Sequence, residues 1–172
     1  MASILMVASE ALPFIKTGGL ADVVGSLPQA LKQKGHEVKI VIPLYKKIWD
    51  KYQNDLYFCC EYSVSINYHE VPVRVYSATV DDVAYFFIQH QGYFERDTLY
   101  GYEDDGERFA YFQKAVIEML NQLNYWPNII HCHDWQTGMI PCMIKETHDS
   151  DPRYNAIRFV YTIHNLLFQG NF

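Results

Sequence analysis

Three short polar clusters, each directly after an apolar segment, hold the residues of this chain that could perform chemistry. The first is Lys16-Thr-Gly-Gly19, whose glycine pair would let a ligand approach the backbone and whose lysine adds a positive charge. Because the start of a helix favours an anion, this cluster suits a phosphate or a departing diphosphate. It matches neither the Walker A sequence nor G-x-G-x-x-G, and a plain glycine turn with an exposed lysine explains it as well. Asp22, in the following segment, could simply face the helix dipole.

The second and third clusters are His131-Cys-His-Asp-Trp135 and His164-Asn165. Alternate residues of a strand share a face, so the two histidines of the second cluster could point the same way and bind a metal. Such a site needs further ligands, for which only His164 and Asp134 are evident. His164 could equally be a satisfied residue at the end of a strand or a catalytic one.

Other residues of these clusters, and of the loop before them, allow more than one role. Asp134 could cap the following helix or accept hydrogen bonds from sugar hydroxyls, and Trp135 could belong to the core or face a sugar ring. Cys132 is expected to be an inert core thiol rather than a nucleophile, because strand cysteines are usually buried. The aromatic residues of the loop at 91–106, among them Tyr93, could pack locally or stack on carbohydrate.

The first cluster lies inside a predicted strand–loop–helix–strand unit. The strand at 4–8 is continuously apolar, and apolar residues then recur at helical spacing over 20–34. Pro28 inside that helix predicts a kink or a break, and Gly35 predicts its end. A second apolar strand at 38–42 completes a βαβ unit with a right-handed crossover.

The middle of the chain has a different pattern. Segments rich in Tyr, Val, Ile and Phe, separated by short polar links, predict antiparallel strands at 56–67, 71–80 and 83–89. Beyond a polar loop, Asp104 and Glu107 predict a capping box at the start of a long amphipathic helix.

The α/β alternation then returns, with strands predicted at 129–132 and 158–163 and a helix at 137–146. The two histidine-containing clusters follow these strands, and the lysine-containing cluster follows the first strand of the chain. Ligands of open α/β sheets bind at the carboxyl ends of the strands, so the three clusters are expected at one site. No helix is predicted after the last strand, and we therefore expect the sequence to be part of a longer protein.

Length and composition exclude several classes of protein. The 172 residues suit one domain, and 49% hydrophobic with 20% charged residues is the composition of a globular chain. The formal net charge of −6, with no cluster of Lys and Arg, argues against nucleic acid or an anionic membrane as a partner. No apolar run approaches the roughly 20 residues of a membrane span, and no signal-peptide pattern is evident. Four cysteines without a C-x-x-C pair predict reduced thiols and a cytoplasmic location.

Four motifs, in order and over essentially the whole chain, resemble the family of bacterial glycogen synthases and plant starch synthases. They are Ser9-Glu10 with Lys16-Thr-Gly-Gly-Leu-Ala-Asp-Val-Val-Gly-Ser-Leu-Pro28, Leu99-Tyr-Gly101 ahead of Asp105-Gly-Glu-Arg-Phe109, His131-Cys-His-Asp-Trp135, and Tyr161-Thr-Ile-His-Asn165 followed by Gln169-Gly170. No single motif is specific, but their combination is. The resemblance implies an α/β fold, the Rossmann-like N-terminal domain of a GT-B type glycosyltransferase, with a mostly parallel sheet extended by an antiparallel hairpin.

The resemblance also implies an activity. Members of this family are retaining glucosyltransferases that transfer glucose from ADP-glucose to the non-reducing end of an α-1,4-glucan, without a metal or other cofactor. The chain would be the acceptor-side catalytic domain over residues 1–172, and the family's C-terminal nucleotide-binding domain would be absent. We therefore expect these residues alone to bind ADP-glucose poorly and to be inactive. The expected partners are ADP-glucose and glycogen or a maltooligosaccharide, and the sequence does not predict an oligomeric state.

The resemblance assigns roles in donor binding to the lysine-containing cluster. Lys16 would contact the donor diphosphate, and Gly18 and Gly19 would line that contact with their backbone N–H groups toward the leaving group. Asp22 would order this loop or bind a sugar hydroxyl.

The remaining roles concern the reacting sugar. Asp134 would bind glucose hydroxyls, and His164 would lie beside the transferred glucose, where its carbonyl or ring would stabilise an oxocarbenium-like transition state. Glu10 and Tyr93 would be further residues of the cleft. In this family the departing phosphate is thought to take the acceptor's proton, so no dedicated base is expected.

Three other functions remain open at this point. A glycan-binding module would keep the acceptor surface without catalysis. A metal hydrolase would use His131, His133 and His164 as ligands, and bound zinc would identify it. Another nucleotide-sugar glycosyltransferase of the same architecture is disfavoured by the Lys-Thr-Gly-Gly-Leu motif.

Overall fold

Seven strands form one mixed sheet in the computed structural model, which describes residues 1–171. In chain order the strands are β1 (Ser3–Val7), β2 (Glu37–Pro43), β3 (Tyr57–Ile66), β4 (His69–Val80), β5 (Val83–Gln89), β6 (Ile129–His133) and β7 (Arg158–Thr162). The helices are α1 (Gly19–Gln33), α2 (Lys46–Tyr52), α3 (Gln91–Phe94), α4 (Asp105–Gln122), α5 (Ile140–Thr147) and α6 (Pro152–Asn155). Short 3-10 helices lie at Gln53–Asp55 and Trp135–Thr137.

The strand order is β3-β4-β5-β2-β1-β6-β7. Strands β5, β2, β1, β6 and β7 form the parallel part, and β3 and β4 extend it as an antiparallel meander joined to β5. This arrangement confirms the predicted α/β class with a mostly parallel sheet and an antiparallel extension. From β1 the chain moves first to β2 on one side and later to β6 on the other, so the sheet has a topological switch point between β1 and β6.

The continuously apolar segments become the central strands of the sheet. Residues 5–7 in β1 and 40–42 in β2 are fully buried, as expected for parallel strands that are covered on both faces. In the antiparallel extension, buried Val73 and Val75 flank the exposed Arg74. Alternating burial of this kind shows that only one face of the meander is covered, and α4 packs there against β3 and β5.

Helix α1 ends as the sequence predicts but does not break where a break was expected. Gly35 has φ +83°, its N–H donates to the carbonyl of Lys32 at 2.8 Å, and the N–H of His36 donates to that of Leu31 at 3.1 Å. This is the Schellman pattern, which satisfies the last carbonyl groups of a helix. The helix runs through Pro28 without interruption, because only one backbone donor is lost and the proline is buried.

The capping box predicted at the start of α4 is wrong. Asp104 occupies the N-cap position but its carboxylate makes no cap; it accepts two hydrogen bonds from the Arg96 guanidinium, at 2.6 and 2.5 Å. Glu107 accepts instead from the hydroxyl of Tyr93 and the amide of Asn67. A hydrogen bond between two charged groups is stronger than one from the carboxylate to a neutral backbone N–H, and the Arg96 contact lowers the pKa of Asp104.

The helix predicted at 137–146 begins later, at the start of α5. The chain first makes the 3-10 helix Trp135–Thr137, in which the Thr137 hydroxyl donates to the carbonyl of His133 at 2.8 Å. Pro141 then lies in the first turn of α5, where a missing N–H costs nothing, which explains the later start. No helix within residues 1–171 combines the length and the hydropathy that crossing a bilayer requires.

Candidate active site

A cleft of about 910 Å³ lies at the carboxyl ends of β1, β6 and β7, beside the switch point of the sheet. Residues of all three polar clusters line it, including Gly18 and Gly19, Asp134, and His164. The clusters therefore meet at one site, where an open α/β sheet binds its ligands.

Glu10 lines the cleft and ties the lysine-containing loop to the end of β1. One of its carboxylate oxygens accepts hydrogen bonds from the backbone N–H of Thr17 and, at 3.4 Å, from that of Gly18. The other accepts from the Thr17 hydroxyl at 2.8 Å and from the Tyr100 hydroxyl at 3.0 Å. Burial and the nearby Glu10 raise the pKa of Tyr100, so this hydroxyl keeps its proton and donates. The buried carboxylate of Glu10 thus fixes the conformation of the lysine-containing loop through these hydrogen bonds.

Aromatic packing around one residue, Phe14, holds the same loop in place further upstream. The ring of Phe14 packs edge-to-face against Tyr52, Tyr85 and Phe87, with centroid distances of 5.0, 4.9 and 4.8 Å. The hydroxyl of Tyr85 also donates to the carbonyl of Leu12 at 3.0 Å. Tertiary contacts therefore fix the position of the chain just before the lysine.

Lys16 and Asp22 form an ion pair beside the cleft. The ammonium group of Lys16 donates to both carboxylate oxygens of Asp22 at 2.7 Å. Both side chains are about half exposed, and neither is among the residues that line the cleft. The two predicted site residues therefore contact each other, but neither of them lines the cleft.

Packing within the fold does not explain why positions 18 and 19 are both glycine. Apart from their own chain neighbours and, for Gly19, the nearby backbone of α1, no atom within residues 1–171 lies within 4 Å of a Cβ built on either glycine. Neither residue has a positive φ, so the backbone conformation does not require glycine either. Open space at these two positions faces the cleft, where a ligand could approach the backbone.

Asp134 joins the ends of β6 and β7. Its carboxylate accepts the backbone N–H of His164 at 2.6 Å, and its own N–H donates to the carbonyl of Thr162 at 2.9 Å. The interpretation of Asp134 as a helix cap is therefore wrong, because the carboxylate is engaged across the sheet and makes no cap. The residue has φ +57° and ψ −179°, a conformation that non-glycine residues rarely adopt.

Three histidines stack from the sheet toward the cleft. Nδ1 of His133 and Nε2 of His164 lie 2.9 Å apart, and the rings of His131 and His133 have centroids 4.0 Å apart. Nε2 of His131 lies 2.7 Å from the hydroxyl of Thr162. Burial, with a smaller effect of the two neighbouring histidines, lowers the pKa of His133 to about 3. Within residues 1–171, no group of three or more His, Cys, Asp and Glu side chains is arranged to hold a metal ion.

A buried ion pair that the sequence interpretation did not single out lies at the cleft, where one of its two members, Asp105, is a lining residue. Arg108 is fully buried and donates to the Asp105 carboxylate at 3.1 Å and to the carbonyl of Leu99 at 2.9 Å. The other oxygen of Asp105 accepts the N–H of Gly101 at 2.7 Å. Both residues belong to the motif Asp105-Gly-Glu-Arg-Phe109, but an i, i+3 charge pair at a helix start usually indicates a surface contact, so its burial could not be predicted from the sequence.

Tyr93 does not reach the lining of the cleft. Its ring packs against His90 and Tyr111, at centroid distances of 4.5 and 5.0 Å, and its hydroxyl donates to Glu107 at 2.5 Å. Burial and the Glu107 hydrogen bond raise its pKa to about 12. These contacts describe local packing, and a role of Tyr93 in binding stays a prediction.

Trp135 both lines the cleft and packs on the core. Its ring meets Phe109 edge-to-face at 5.2 Å, which is the core packing that the sequence allowed, and contact with a sugar ring stays a prediction. A Cβ built on Gly170 would lie only 2.7 Å from the Trp135 ring, and Gly170 has φ +68°. Close approach and backbone conformation together require glycine at this position.

The four cysteines are all free thiols in the structure. Cys132 is fully buried, and burial raises its pKa to about 12. The thiol is therefore protonated near neutral pH, in agreement with the expectation of an inert core residue.

Comparison with known proteins gives a consistent result. The sequence profile of the family described as the starch synthase catalytic domain matches residues 3–172. The glycogen synthases of Clostridium kluyveri and Clostridium perfringens are each 47% identical over 169 residues, which is 98% of this chain. The glycogen synthase of Streptococcus agalactiae is 44% identical over 173 residues.

A solved structure agrees with these relatives. The catalytic domain of starch synthase IV from Arabidopsis thaliana, bound to ADP and acarbose, matches 98% of this chain with a TM-score of 0.86 and 34% identity. The chain spans about a third of the length of the proteins it matches, namely 36% and 35% of the two clostridial relatives and 35% of the plant chain.

Proposed function

Because the chain belongs to the family of starch synthase catalytic domains, we propose that it forms the N-terminal, acceptor-side part of a retaining glucosyltransferase. The proposed reaction transfers glucose from ADP-glucose to the non-reducing end of an α-1,4-glucan such as glycogen or a maltooligosaccharide. Residues 1–172 would supply one Rossmann-like domain of a GT-B architecture. A second, nucleotide-binding domain would face it across the cleft.

The observation that carries this proposal is the meeting of Gly18, Gly19, Asp134 and His164 at one cleft. A helix N-terminus attracts a diphosphate, a carboxylate accepts hydrogen bonds from sugar hydroxyls, and an imidazole offers a polar group beside the reacting carbon. The Arabidopsis starch synthase IV structure, which was solved with ADP and acarbose, supports a nucleotide and a saccharide as ligands.

Lys16 would reach the donor diphosphate by exchanging one anion for another. Its present partner, Asp22, is about half exposed, and an ion pair of this kind contributes at most about 1 kcal/mol. A diphosphate carries more charge than one carboxylate and would displace it. Asp22 would then order the loop or bind a sugar hydroxyl. The open space at Gly18 and Gly19 would let the phosphate oxygens approach the start of α1.

Asp134 and His164 would act on the transferred glucose. Asp134 would bind glucose hydroxyls with the part of its carboxylate that the N–H of His164 leaves free. His164 would stabilise the positive charge that develops at the reacting carbon, through its carbonyl or its ring, and would not attack as a nucleophile. The departing phosphate would take the acceptor's proton, so the proposal needs no dedicated base. It also includes no cofactor, because ADP-glucose is a substrate.

The proposed compartment is the cytoplasm, where a nucleotide sugar and free thiols coexist. Four free cysteines support a reducing environment. The net charge of −6, without a cluster of Lys and Arg, argues against nucleic acid or an anionic membrane surface as a partner.

We further propose that residues 1–172 alone bind ADP-glucose poorly and do not complete the transfer. Residues 1–171 supply a helix N-terminus at the cleft and, beside the cleft, one lysine for the diphosphate, and none of these groups would recognise the adenine base. A second domain would have to provide those contacts.

The proposal is tested by glucose transfer to glycogen in the longer protein that contains this domain. Lys16→Ala and His164→Ala should each lower kcat/KM for ADP-glucose by about a hundredfold or more, because the first removes the positive charge for the departing diphosphate and the second removes the ring beside the transferred glucose. Lys47→Ala is the matched control: Lys47 is exposed on α2, away from the cleft, and its loss should leave the rate unchanged. Rates of the Lys16 and His164 variants equal to that of the control would contradict the assigned roles.

A glycan-binding module would give a different outcome. In that case the longer protein would bind maltooligosaccharides, as measured by calorimetric titration, but would transfer no glucose from ADP-glucose in any form.

A further inference from the structure

His133 is in direct contact with His164 but has no role in the proposed reaction. The residue is fully buried at the end of β6, and its Nδ1 lies 2.9 Å from Nε2 of His164, which lines the cleft. Two imidazoles at this distance share one hydrogen bond, so one nitrogen must carry the proton and the other must accept it.

The surroundings of His133 determine its charge. The ring is enclosed by the sheet, and burial together with His131 and His164 lowers its pKa to about 3. His133 is therefore neutral near pH 7 and carries a single ring proton, on Nδ1 or on Nε2.

The two positions for that proton differ in cost. Nε2 of His133 is buried and has no hydrogen-bond partner within residues 1–171. A proton there would be an unpaired buried donor, which folded proteins rarely tolerate, whereas an unpaired acceptor is less unusual. A proton on Nδ1 is satisfied by His164. Nδ1–H is therefore the favoured form of His133, and it donates to Nε2 of His164.

We propose that His133 is a positioning residue, which donates from Nδ1 to Nε2 of His164 and so leaves the neutral ring of His164 with its proton on Nδ1. That nitrogen is the one that remains for a ligand in the cleft. Resting on the proposed function, this assigns the ring of His164 the part of a hydrogen-bond donor to an oxygen of the substrate at a fixed orientation, so that its carbonyl, rather than its ring, would face the developing positive charge.

The backbone of His164 is held from the same direction. The carboxylate of Asp134, the residue after His133, accepts the backbone N–H of His164 at 2.6 Å. Successive residues at the end of β6 therefore hold the main chain and the ring of His164 separately. A ring fixed in this way cannot turn to present its other nitrogen, so the hydrogen bond that Nδ1–H donates to the substrate keeps one geometry.

The ring tautomers can be measured without any catalysis. In the ¹⁵N-histidine-labelled chain at a pH where His164 is neutral, long-range ¹H–¹⁵N spectra should show His164 with its proton on Nδ1. His133→Asn keeps an N–H donor near the position of Nδ1 and should preserve this state, whereas His133→Leu should abolish it. His131→Leu is the matched control, because it removes an adjacent imidazole of the same stack and leaves the His133–His164 contact intact.

A parallel measurement in the longer protein connects the tautomer to the reaction. His133→Leu should lower kcat for glucose transfer by about tenfold to a hundredfold with little change in KM, and His133→Asn should recover most of the loss. A merely structural role would change thermal stability without this division between kcat and KM and without rescue by asparagine.

The proposal is overturned if His164 in the unmodified chain carries its proton on Nε2, or if His133→Leu leaves the tautomer of His164 unchanged. The spectrum of the unmodified chain decides the matter even if the leucine variant does not fold. A protein that shows the expected tautomer but no glucose transfer would refute the proposed function and leave the positioning contact standing.

Discussion

At the scale of single residues, Asp134 accepts the least favourable backbone geometry of the cleft. Its φ of +57° with ψ of −179° lies in a region that is populated almost only by glycine and costs a side-chain-bearing residue about 1–3 kcal/mol. The same residue holds the backbone of His164 at 2.6 Å. Strained conformations persist where the surrounding contacts over-determine them and concentrate at functional sites, which agrees with the role proposed for Asp134.

Substitutions at Asp134 should distinguish the contribution of its carboxylate to stability from its contribution to glucose transfer. Asp134→Ala keeps the strained backbone and leaves the His164 N–H without its partner, so the free energy of unfolding should fall by about 1–3 kcal/mol. Asp134→Asn keeps an oxygen acceptor and tolerates positive φ better, so its loss should stay below about 1 kcal/mol while glucose transfer falls. Urea unfolding measures both. Asp149→Ala, at an exposed loop position, is the control. If Asp134→Ala is as stable as this control, the carboxylate of Asp134 does not hold the backbone of His164.

The buried histidine of the stack predicts a pH dependence of stability. The pKa of His133 falls from 6.5 to about 3 on folding, so below pH 6.5 the unfolded chain binds a proton that the folded protein excludes. The stability due to neutral His133 is present above pH 6.5 and is lost as the pH falls toward 3. Between pH 7 and pH 5 the loss is at most about 2 kcal/mol. Unfolding curves of His133→Asn should show a correspondingly smaller loss over this interval, and an identical slope in both proteins would contradict the burial of a neutral ring.

At the scale of elements, features encoded within a few neighbouring residues could be predicted. The apolar runs of β1 and β2 and the glycine end of α1 are examples, because burial and a Schellman cap leave a local pattern. The capping box at Asp104 failed because Arg96, across a loop, offers a stronger partner. The interpretation of Asp134 as a cap failed because its carboxylate binds the backbone N–H of His164, just after the next parallel strand and 30 residues along the chain. Competing tertiary partners leave no sign in a local pattern.

The loop between β1 and α1 should loosen when its internal carboxylate is removed. Glu10→Ala takes away a buried acceptor of several hydrogen bonds, and bonds to a charged group contribute about 1.5–3 kcal/mol each. The free energy of unfolding should fall by at least about 1.5 kcal/mol, and hydrogen exchange at the amides of Thr17 and Gly18 should speed up. Glu70→Ala, an exposed glutamate in β4, is the control. Unchanged exchange at these two amides would show that Glu10 does not hold the loop.

Helix α1 packs closely on this loop. A substitution that favours helix formation should therefore lower the stability of the protein instead of raising it. A Cβ built on Gly25 would lie 2.8 Å from Cβ of Leu12 and 3.1 Å from its carbonyl oxygen. Gly25→Ala should therefore destabilise the protein by about 1–2 kcal/mol, because overpacking outweighs the gain of about 1 kcal/mol in helix propensity. Gly19→Ala, with open space around its Cβ, is the control for stability, measured by urea unfolding. A stabilised Gly25→Ala variant would refute the close approach.

At the scale of the whole molecule, the position of the site could be predicted from the sequence, whereas the side-chain contacts within the site could not. Strand ends that carry polar clusters must meet at one edge of a parallel sheet, so the cleft follows from topology. The contact of Glu10 with Tyr100 joins residues 90 positions apart, and the buried pair of Asp105 and Arg108 depends on which helix face the core covers. Such contacts depend on packing, which only the folded structure specifies. The ion pair of Lys16 with Asp22 likewise shows a state that the family motif alone does not describe.

The most direct test of the central claim compares glucose transfer from ADP-glucose to glycogen by residues 1–172 and by the longer protein that contains them. We predict incorporation of labelled glucose only by the longer protein, lost on Lys16→Ala or His164→Ala and retained on Lys47→Ala. Transfer by residues 1–172 alone would contradict the claim that this cleft is one half of the active site, and no transfer by either form would contradict the proposed activity itself.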